Sequence, residues 1–107
     1  MKVLNRIKKN AEFNKVIDEG NIVKSDSLTL YFLENSLGYT RIGISIPRRS
    51  GNAVVRNKMK RQIRAIIASD VDLNKSFDII LIARKQFNIE EFAKTRIDLN
   101  YLFKKVG

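Results

Sequence analysis

The sequence predicts one α/β domain of the α+β kind, in which helices cover a mixed sheet. Three observations lead to this class. Helical and strand patterns follow one another in the order αββαβα, one strand is apolar at almost every position, and 107 residues can build one hydrophobic core but not two. Residues 22–23 leave room for one more short strand. We therefore expect residues 1–107 to form a single two-layer sandwich with a mixed four-stranded sheet, in the order αβββαβα.

The first predicted element is a short helix at residues 10–19. Asn10 is a residue type favoured at helix N-caps, and Gly20 follows the segment as a stop signal. Three apolar side chains share one face of this helix at helical spacing: Phe13, Val16 and Ile17. Such a face predicts that the helix packs against the rest of the domain.

Two strands follow the first helix. Residues 28–33 alternate their side chains between two faces, and residues 41–46 alternate isoleucine with smaller or charged residues, as half-buried strands do. Between them, the sequence Asn-Ser-Leu-Gly at residues 35–38 is typical of a turn. We therefore expect these two strands to pair as a hairpin.

The second half of the chain predicts a long helix, a buried strand and a final helix. Pro47 closes the preceding strand, and Asn52 opens a helical run over residues 53–69. Residues 77–83, FDIILIA, form the nearly continuous apolar run expected of a central strand that is buried on both faces. Residues 89–105 then show the apolar spacing of a last amphipathic helix.

Positive charge is concentrated in the middle third of the chain. The formal net charge is +10, and residues 35–69 contain eight Lys or Arg without a single Asp or Glu. On the predicted helix at 53–69, the polar face places Arg56 four residues before Lys60, a like-charge spacing that destabilises an isolated helix. A polyanion would relieve this repulsion. We therefore expect nucleic acid to bind this face, which comprises Arg56, Asn57, Lys58, Lys60, Arg61 and Arg64.

The composition argues against a self-contained enzyme and against a membrane protein. The chain has no His and no Cys, which removes the commonest general base, the thiol nucleophile and most transition-metal ligands. Asp70 and Asp72 form a close acidic pair, but loop solvation is the usual role of such a pair, so we assign no catalytic and no metal-binding residue. The sequence has neither a secretory signal nor an apolar run of membrane-spanning length. We expect a cytoplasmic protein with no membrane partner.

The segment GNAVVRNKMKRQIR at residues 51–64 closely resembles the signature of the bacterial ribonuclease P protein subunit, whose hallmark is an Arg-Asn-Arg run on a basic helix. Further segments resemble the same family in the same order, so the likeness covers nearly the whole chain: residues 6–20, 27–32, 41–54 and 77–85. Lys58 departs from the hallmark, which has Arg at this position. It keeps the charge but loses the bidentate geometry, so we expect a weaker phosphate contact there.

This resemblance implies a noncatalytic protein that assists a large catalytic RNA in removing the 5′ leader from precursor tRNA. The chemistry would belong to the RNA subunit, which would also hold most of the required Mg²⁺. Precursor tRNA and the RNA subunit are then the expected partners, and DNA is not. The resemblance also implies an α/β sandwich, shared with one ribosomal protein and a domain of elongation factor G, with a left-handed βαβ crossover.

Carried over by position, the resemblance implies two RNA-binding sites. The residues expected to contact the RNA subunit lie at the start of the basic helix: Asn52, Arg56, Asn57, Lys58, Lys60, Arg61 and Arg64. The single-stranded leader would lie in a cleft between the first helix and the sheet, against Phe13, Ile17, Tyr31, Ser45, Arg48 and Arg49. Tyr31 offers a stacking surface, whereas Ile17 stands where the family has an aromatic residue, and core packing is the competing role for Phe13.

Three other functions compete with this interpretation. A general or ribosomal RNA-binding protein would also need a basic helix beside a mixed sheet, and it is the strongest alternative. A DNA-binding helix-turn-helix protein fits less well, because strands rather than a helix flank the basic helix. An autonomous nuclease would need clustered carboxylates, and those of this chain are scattered.

Overall fold

The structure is a computed structural model and describes residues 5–107. Helices and strands follow one another along the chain as α1 (Asn10–Glu19), β1 (Asn21–Lys24), β2 (Leu28–Glu34), β3 (Arg41–Ser45), α2 (Ala53–Asp70), β4 (Phe77–Ala83) and α3 (Phe92–Lys104). A single turn of 3-10 helix, Arg48–Ser50, lies between β3 and α2. The predicted order αβββαβα is confirmed.

The four strands form a mixed sheet in the spatial order β1-β2-β4-β3. β1 pairs antiparallel with β2, β2 pairs antiparallel with β4, and β3 pairs parallel with β4. β4 is therefore a central strand, as predicted, and its residues Ile79, Ile80 and Leu81 are buried. α2 connects β3 to β4, and this is the crossover to which the family resemblance assigns a left hand.

The predicted hairpin between β2 and β3 is wrong, because β4 lies between these two strands. Tyr31 of β2 and Gly43 of β3 both have Ile80 of β4 as their neighbour in register. Both faces of β4 are apolar, and the strand buries the largest apolar area when it lies between two other strands. The hairpin that does form joins β1 to β2 through residues 25–27.

One predicted N-cap and one predicted helix start differ from the structure. The N-cap of α1 is Lys9 rather than Asn10, which is already helical. α3 begins at Phe92 rather than at residue 89, because the Asn88 side chain accepts a hydrogen bond from the Glu90 backbone N–H at 2.9 Å. This local turn offers the backbone an alternative to the helix.

The core lies on both faces of the sheet. α2 and α3 cover one face, where they bury their own side chains against those of the strands, including Leu30, Ile63, Ile67, Leu81 and Leu99. α1 covers the opposite face with a smaller cluster that contains Val16 and Ile80, with Phe13, Ile17 and Tyr31 packed around them. Each helix within residues 5–107 is too short or too polar to cross a membrane.

Asn52 caps the N-terminus of α2, since its Oδ1 accepts a hydrogen bond from the Val55 backbone N–H at 3.0 Å. We expect Asn52→Ala to lower the free energy of unfolding by about 1 kcal/mol, because this N–H loses its acceptor. Asn52→Asp, which keeps an acceptor oxygen, is the matched control and should retain most of the stability. Urea unfolding checks this, and equal losses in the two variants would contradict it.

Candidate nucleic-acid interface

α2 carries the first candidate surface because it combines a buried apolar stripe with cationic side chains that are exposed or half-buried. One side is fixed in the core by four side chains that are 0–2% exposed: Met59, Ile63, Ile66 and Ile67. The other side presents all the residues that were predicted to bind the RNA subunit, with Asn52, Asn57, Lys58 and Arg61 exposed and Arg56, Lys60 and Arg64 half-buried. The buried stripe fixes the orientation of the cationic side relative to the sheet.

The cationic side chains of α2 are not neutralised within the described part of the chain. The ion pairs among residues 5–107 join Arg41 to Glu12 and Asp78, Lys94 to Asp26, and Arg96 to Asp70. None of them involves a cation of α2, and none involves Arg48 or Arg49. The positive field of this surface is therefore available to an anionic partner.

The turn that precedes α2 continues the same basic surface. Arg48 and Arg49 lie in this turn and are exposed. The turn ends at Gly51, whose φ of +150° lies in a region that favours glycine. The Gly51 carbonyl accepts a hydrogen bond from Arg56 Nε at 3.2 Å, which ties the turn to the first turn of α2.

The structure adds Arg6, which the sequence interpretation did not include, to the basic surface. Residues 6–7 run parallel to β3, where Arg6 bridges to Ile42 and the Ile7 N–H donates to the Ile42 carbonyl at 3.1 Å. Arg6, Lys60 and Arg64 consequently line one small cavity of about 120 Å³. Arg64 Nε is buried there without a hydrogen-bond partner in the described structure. Only the pairing of residues 6–7 with β3 reveals this role, and no local sequence pattern signals it.

The second candidate surface is the sheet face under α1, where Phe13, Ile17 and Tyr31 come together in one cluster. The ring of Phe13 covers Gly43 so closely that a Cβ at Gly43 would lie 2.8 Å from Phe13 Cε2. All three side chains of the cluster are half-buried. They form the wall of a cleft and also pack the core on this side.

The cleft continues beyond α1 along the next set of laterally paired residues in the sheet, which we call the open row. Ser45 of β3 is adjacent in register to Ile82 of β4, which is adjacent to Thr29 of β2 and then to Lys24 of β1. The side chains of β2, β3 and β4 in this row are half-buried, and that of Lys24 is exposed. Ser45 thus lies in the open row beside the wall, and the following turn carries Arg48. Thr29 and Lys24 were not predicted for this site, since only the strand register places them there.

The acidic pair at the end of α2 has a structural role. The Asp70 carboxylate accepts hydrogen bonds from Arg96 at 2.6 and 2.7 Å and from Asn100 at 2.8 Å, and so links α2 to α3. The Arg96 guanidinium, with help from Asn100 and Ser69, holds the pKa of Asp70 well below its usual range. Asp72 Oδ1 accepts from the Asn74 N–H at 3.0 Å. Across residues 5–107, no three His, Cys, Asp or Glu side chains converge as metal ligands.

Comparisons with known proteins agree with this geometry. The ribonuclease P family model matches residues 1–107. The ribonuclease P protein component of Bacillus velezensis is 40% identical over 108 residues, which covers 100% of this chain and 93% of that protein. The corresponding protein of Mesoplasma florum is 39% identical over 98 residues, covering 90% and 89% of the two chains.

Solved structures of the same kind share the fold. The RNase P protein from Thermotoga maritima superposes with a TM-score of 0.86 at 31% identity, covering 95% of this chain and 97% of that one. The RNase P protein of Staphylococcus aureus superposes with a TM-score of 0.82 at 33% identity, covering 94% and 93%. Together with the basic face of α2, these likenesses show that the chain belongs to the ribonuclease P protein family, the protein component of an RNA-based tRNA-processing enzyme.

Proposed function

We propose that this protein binds the catalytic RNA of ribonuclease P through the basic face of α2 and binds the single-stranded 5′ leader of precursor tRNA in the cleft beside α1. The observation that carries the proposal is the row of cations on α2, which lacks acidic partners among residues 5–107 while the opposite side of the helix is fixed in the core. Both sites would attract RNA electrostatically, since RNA is a polyanion whose phosphates attract cations.

On the RNA-subunit side, each arginine has a planar fork that fits a phosphate with two parallel hydrogen bonds. Arg61 is exposed and offers such a fork, and Asn57 beside it can hydrogen-bond to a ribose or to a base edge. Lys58 provides a point charge instead. We therefore expect the two arginines at positions 56 and 61 to orient the RNA more strongly than Lys58 does.

On the leader side, a single strand needs a stacking surface and cations that follow its backbone. Tyr31 lies in the cleft wall, Ser45 offers a hydroxyl in the adjoining open row, and Arg48 and Arg49 follow at the end of β3. Phe13 and Ile17 complete the wall from the side of α1. Because this site accepts an unpaired strand, it would recognise the precursor and not the mature tRNA.

We assign no catalytic residue to the protein. The RNA subunit, with Mg²⁺ that supplies an activated water and stabilises the leaving oxygen, would carry out the hydrolysis. The protein would hold the leader in place and reduce the repulsion between two RNAs. We place this activity in the cytoplasm.

Reconstitution tests the proposal. The purified protein alone should cleave no precursor tRNA, whereas its addition to RNase P RNA should lower the Mg²⁺ concentration needed for cleavage and favour precursor over mature tRNA. The same tRNA with and without its leader is the matched pair of ligands. Equal affinity for both would contradict leader binding and would favour the alternative, a general or ribosomal RNA-binding protein, which the basic helix alone also fits.

A further inference from the structure

Arg41 joins three elements at one end of the leader cleft. It lies at the start of β3, where it donates from Nε and Nη2 to the two carboxylate oxygens of Asp78 on β4, at 2.9 and 2.6 Å. Its remaining terminal nitrogen, Nη1, donates to Glu12 Oε2 on α1 at 2.8 Å. The guanidinium therefore connects the sheet to the helix that covers it.

The sheet side of this connection is rigid. The side chains of Arg41 and Asp78 are 18% and 12% exposed, and Asn35 Nδ2 donates a further hydrogen bond to Asp78 Oδ1 at 2.8 Å. A bidentate pair of this kind fixes the plane of the guanidinium. Asp78 accepts from Nε and Nη2 of Arg41, so Nη1 is the guanidinium nitrogen that reaches α1.

The connection lies directly beside the proposed cleft. Residues 41, 43 and 45 of β3 point to the same face of the sheet, because side chains alternate along a strand. Arg41 holds Glu12, the next residue on that face is Gly43 under the Phe13 ring, and Ser45 lies in the open row. Glu12 and Phe13 are adjacent on α1, so the Arg41–Glu12 contact anchors α1 to the sheet next to the residue that forms the cleft wall.

We propose that Arg41 is a positioning residue for the leader: through Glu12 it sets the height of α1, and thereby the width of the cleft that receives single-stranded RNA. This inference rests on the proposed function. Arg41 acts through these contacts rather than by touching the RNA, since each of its three guanidinium nitrogens already donates to Glu12 or Asp78.

The test uses the holoenzyme reconstituted with RNase P RNA, and two variants of the bridge. Glu12→Gln removes the charge that holds α1 but keeps the buried pair of Arg41 with Asp78. Arg41→Lys keeps one positive charge but loses the planar fork that pairs with both oxygens of Asp78 while reaching Glu12. In each case we expect the ratio of affinities for precursor and mature tRNA to fall by about fivefold or more, while the affinity for the RNA subunit changes by less than about twofold.

A second measurement reports the position of α1 directly. The Phe13 ring lies against Gly43, so the NMR shifts of the Gly43 α-protons should carry a ring-current contribution from it. In Glu12→Gln these shifts should move toward ordinary glycine values. Arg96→Lys is the matched control, because Arg96 makes a similar paired contact to Asp70 between α2 and α3, away from α1. It should change neither the shifts nor the affinity ratio.

Three outcomes would overturn the inference. The first is an unchanged affinity ratio in Glu12→Gln, with or without a shift at Gly43. The second is an equal loss of the ratio in Arg96→Lys, which would indicate general destabilisation. The third is a wild-type ratio close to one, which would remove leader binding itself. The proposed function survives the first two outcomes but not the third, so the two failures are distinguishable.

Discussion

Replacing both Arg56 and Arg61 by alanine is expected to weaken binding of RNase P RNA by about a hundredfold, which corresponds to about tenfold for each lost phosphate contact. Both side chains belong to the cationic face of α2, and neither has an acidic partner among the described residues. Each phosphate contact releases counterions when it forms. The slope of log K against log salt should therefore decrease by about 2 units in the double variant.

A salt titration of the binding constant measures both effects. Lys94→Ala is the control, since Lys94 is an exposed cation on α3, outside the proposed interface. It should change neither the affinity nor the slope by a comparable amount. A double variant with the wild-type slope would show that the α2 face does not contact the RNA backbone, whatever the change in affinity.

Replacing Tyr31 by alanine is expected to lower the affinity of the holoenzyme for precursors with leaders of several nucleotides by about 5- to 150-fold. Stacking of a base on an aromatic side chain contributes about 1–3 kcal/mol, which gives this range. Mature tRNA, which has no leader to stack, should bind as tightly as it does to the wild-type enzyme. Competition binding with precursor and mature tRNA measures the difference.

Tyr31 also packs in the small cluster under α1, so its truncation needs a control for stability. Tyr31→Phe keeps both the ring and the packing, and it should retain most of the leader affinity. Urea unfolding of the two variants separates the loss of packing from the loss of stacking. If mature tRNA were affected as strongly as the precursor, Tyr31 would not belong to a leader site.

Local sequence patterns were sufficient to predict most elements of the fold. The apolar run of β4 identified a central strand, and the two sides of α2 separated core from cation-bearing surface, because each pattern reflects burial of the element itself. Sheet order was not predictable in this way. A turn between β2 and β3 suggested a hairpin. The pairing, however, depends on which strand buries the most apolar area at the centre of the sheet, and β4 buries more there than β2 or β3 would.

From local patterns alone, a candidate site was predictable only where its residues are close in sequence, and the family resemblance was needed to bring Phe13, Ile17 and Tyr31 into one cleft. The cations of α2 come from one helix and follow from its spacing. Arg6 joins them across the β3 edge, and Arg41 meets Asp78 from 37 positions away, so both contacts depend on tertiary structure. The interpretation of Asp70 as noncatalytic stays a prediction, and the structure adds that its carboxylate joins α2 to α3.

The central place of β4 also limits the order in which this fold can assemble during synthesis. Until residues 77–83 leave the ribosome, β3 lacks its neighbour in the sheet and can pair only with residues 6–7, while β1 and β2 would form a two-stranded unit of marginal stability. The basic helix is translated before β4 but has no finished sheet to dock on. We therefore expect a nascent chain to expose the cations of α2 before the sheet can orient them, and the orientation to be complete only after residues 77–83 have been translated.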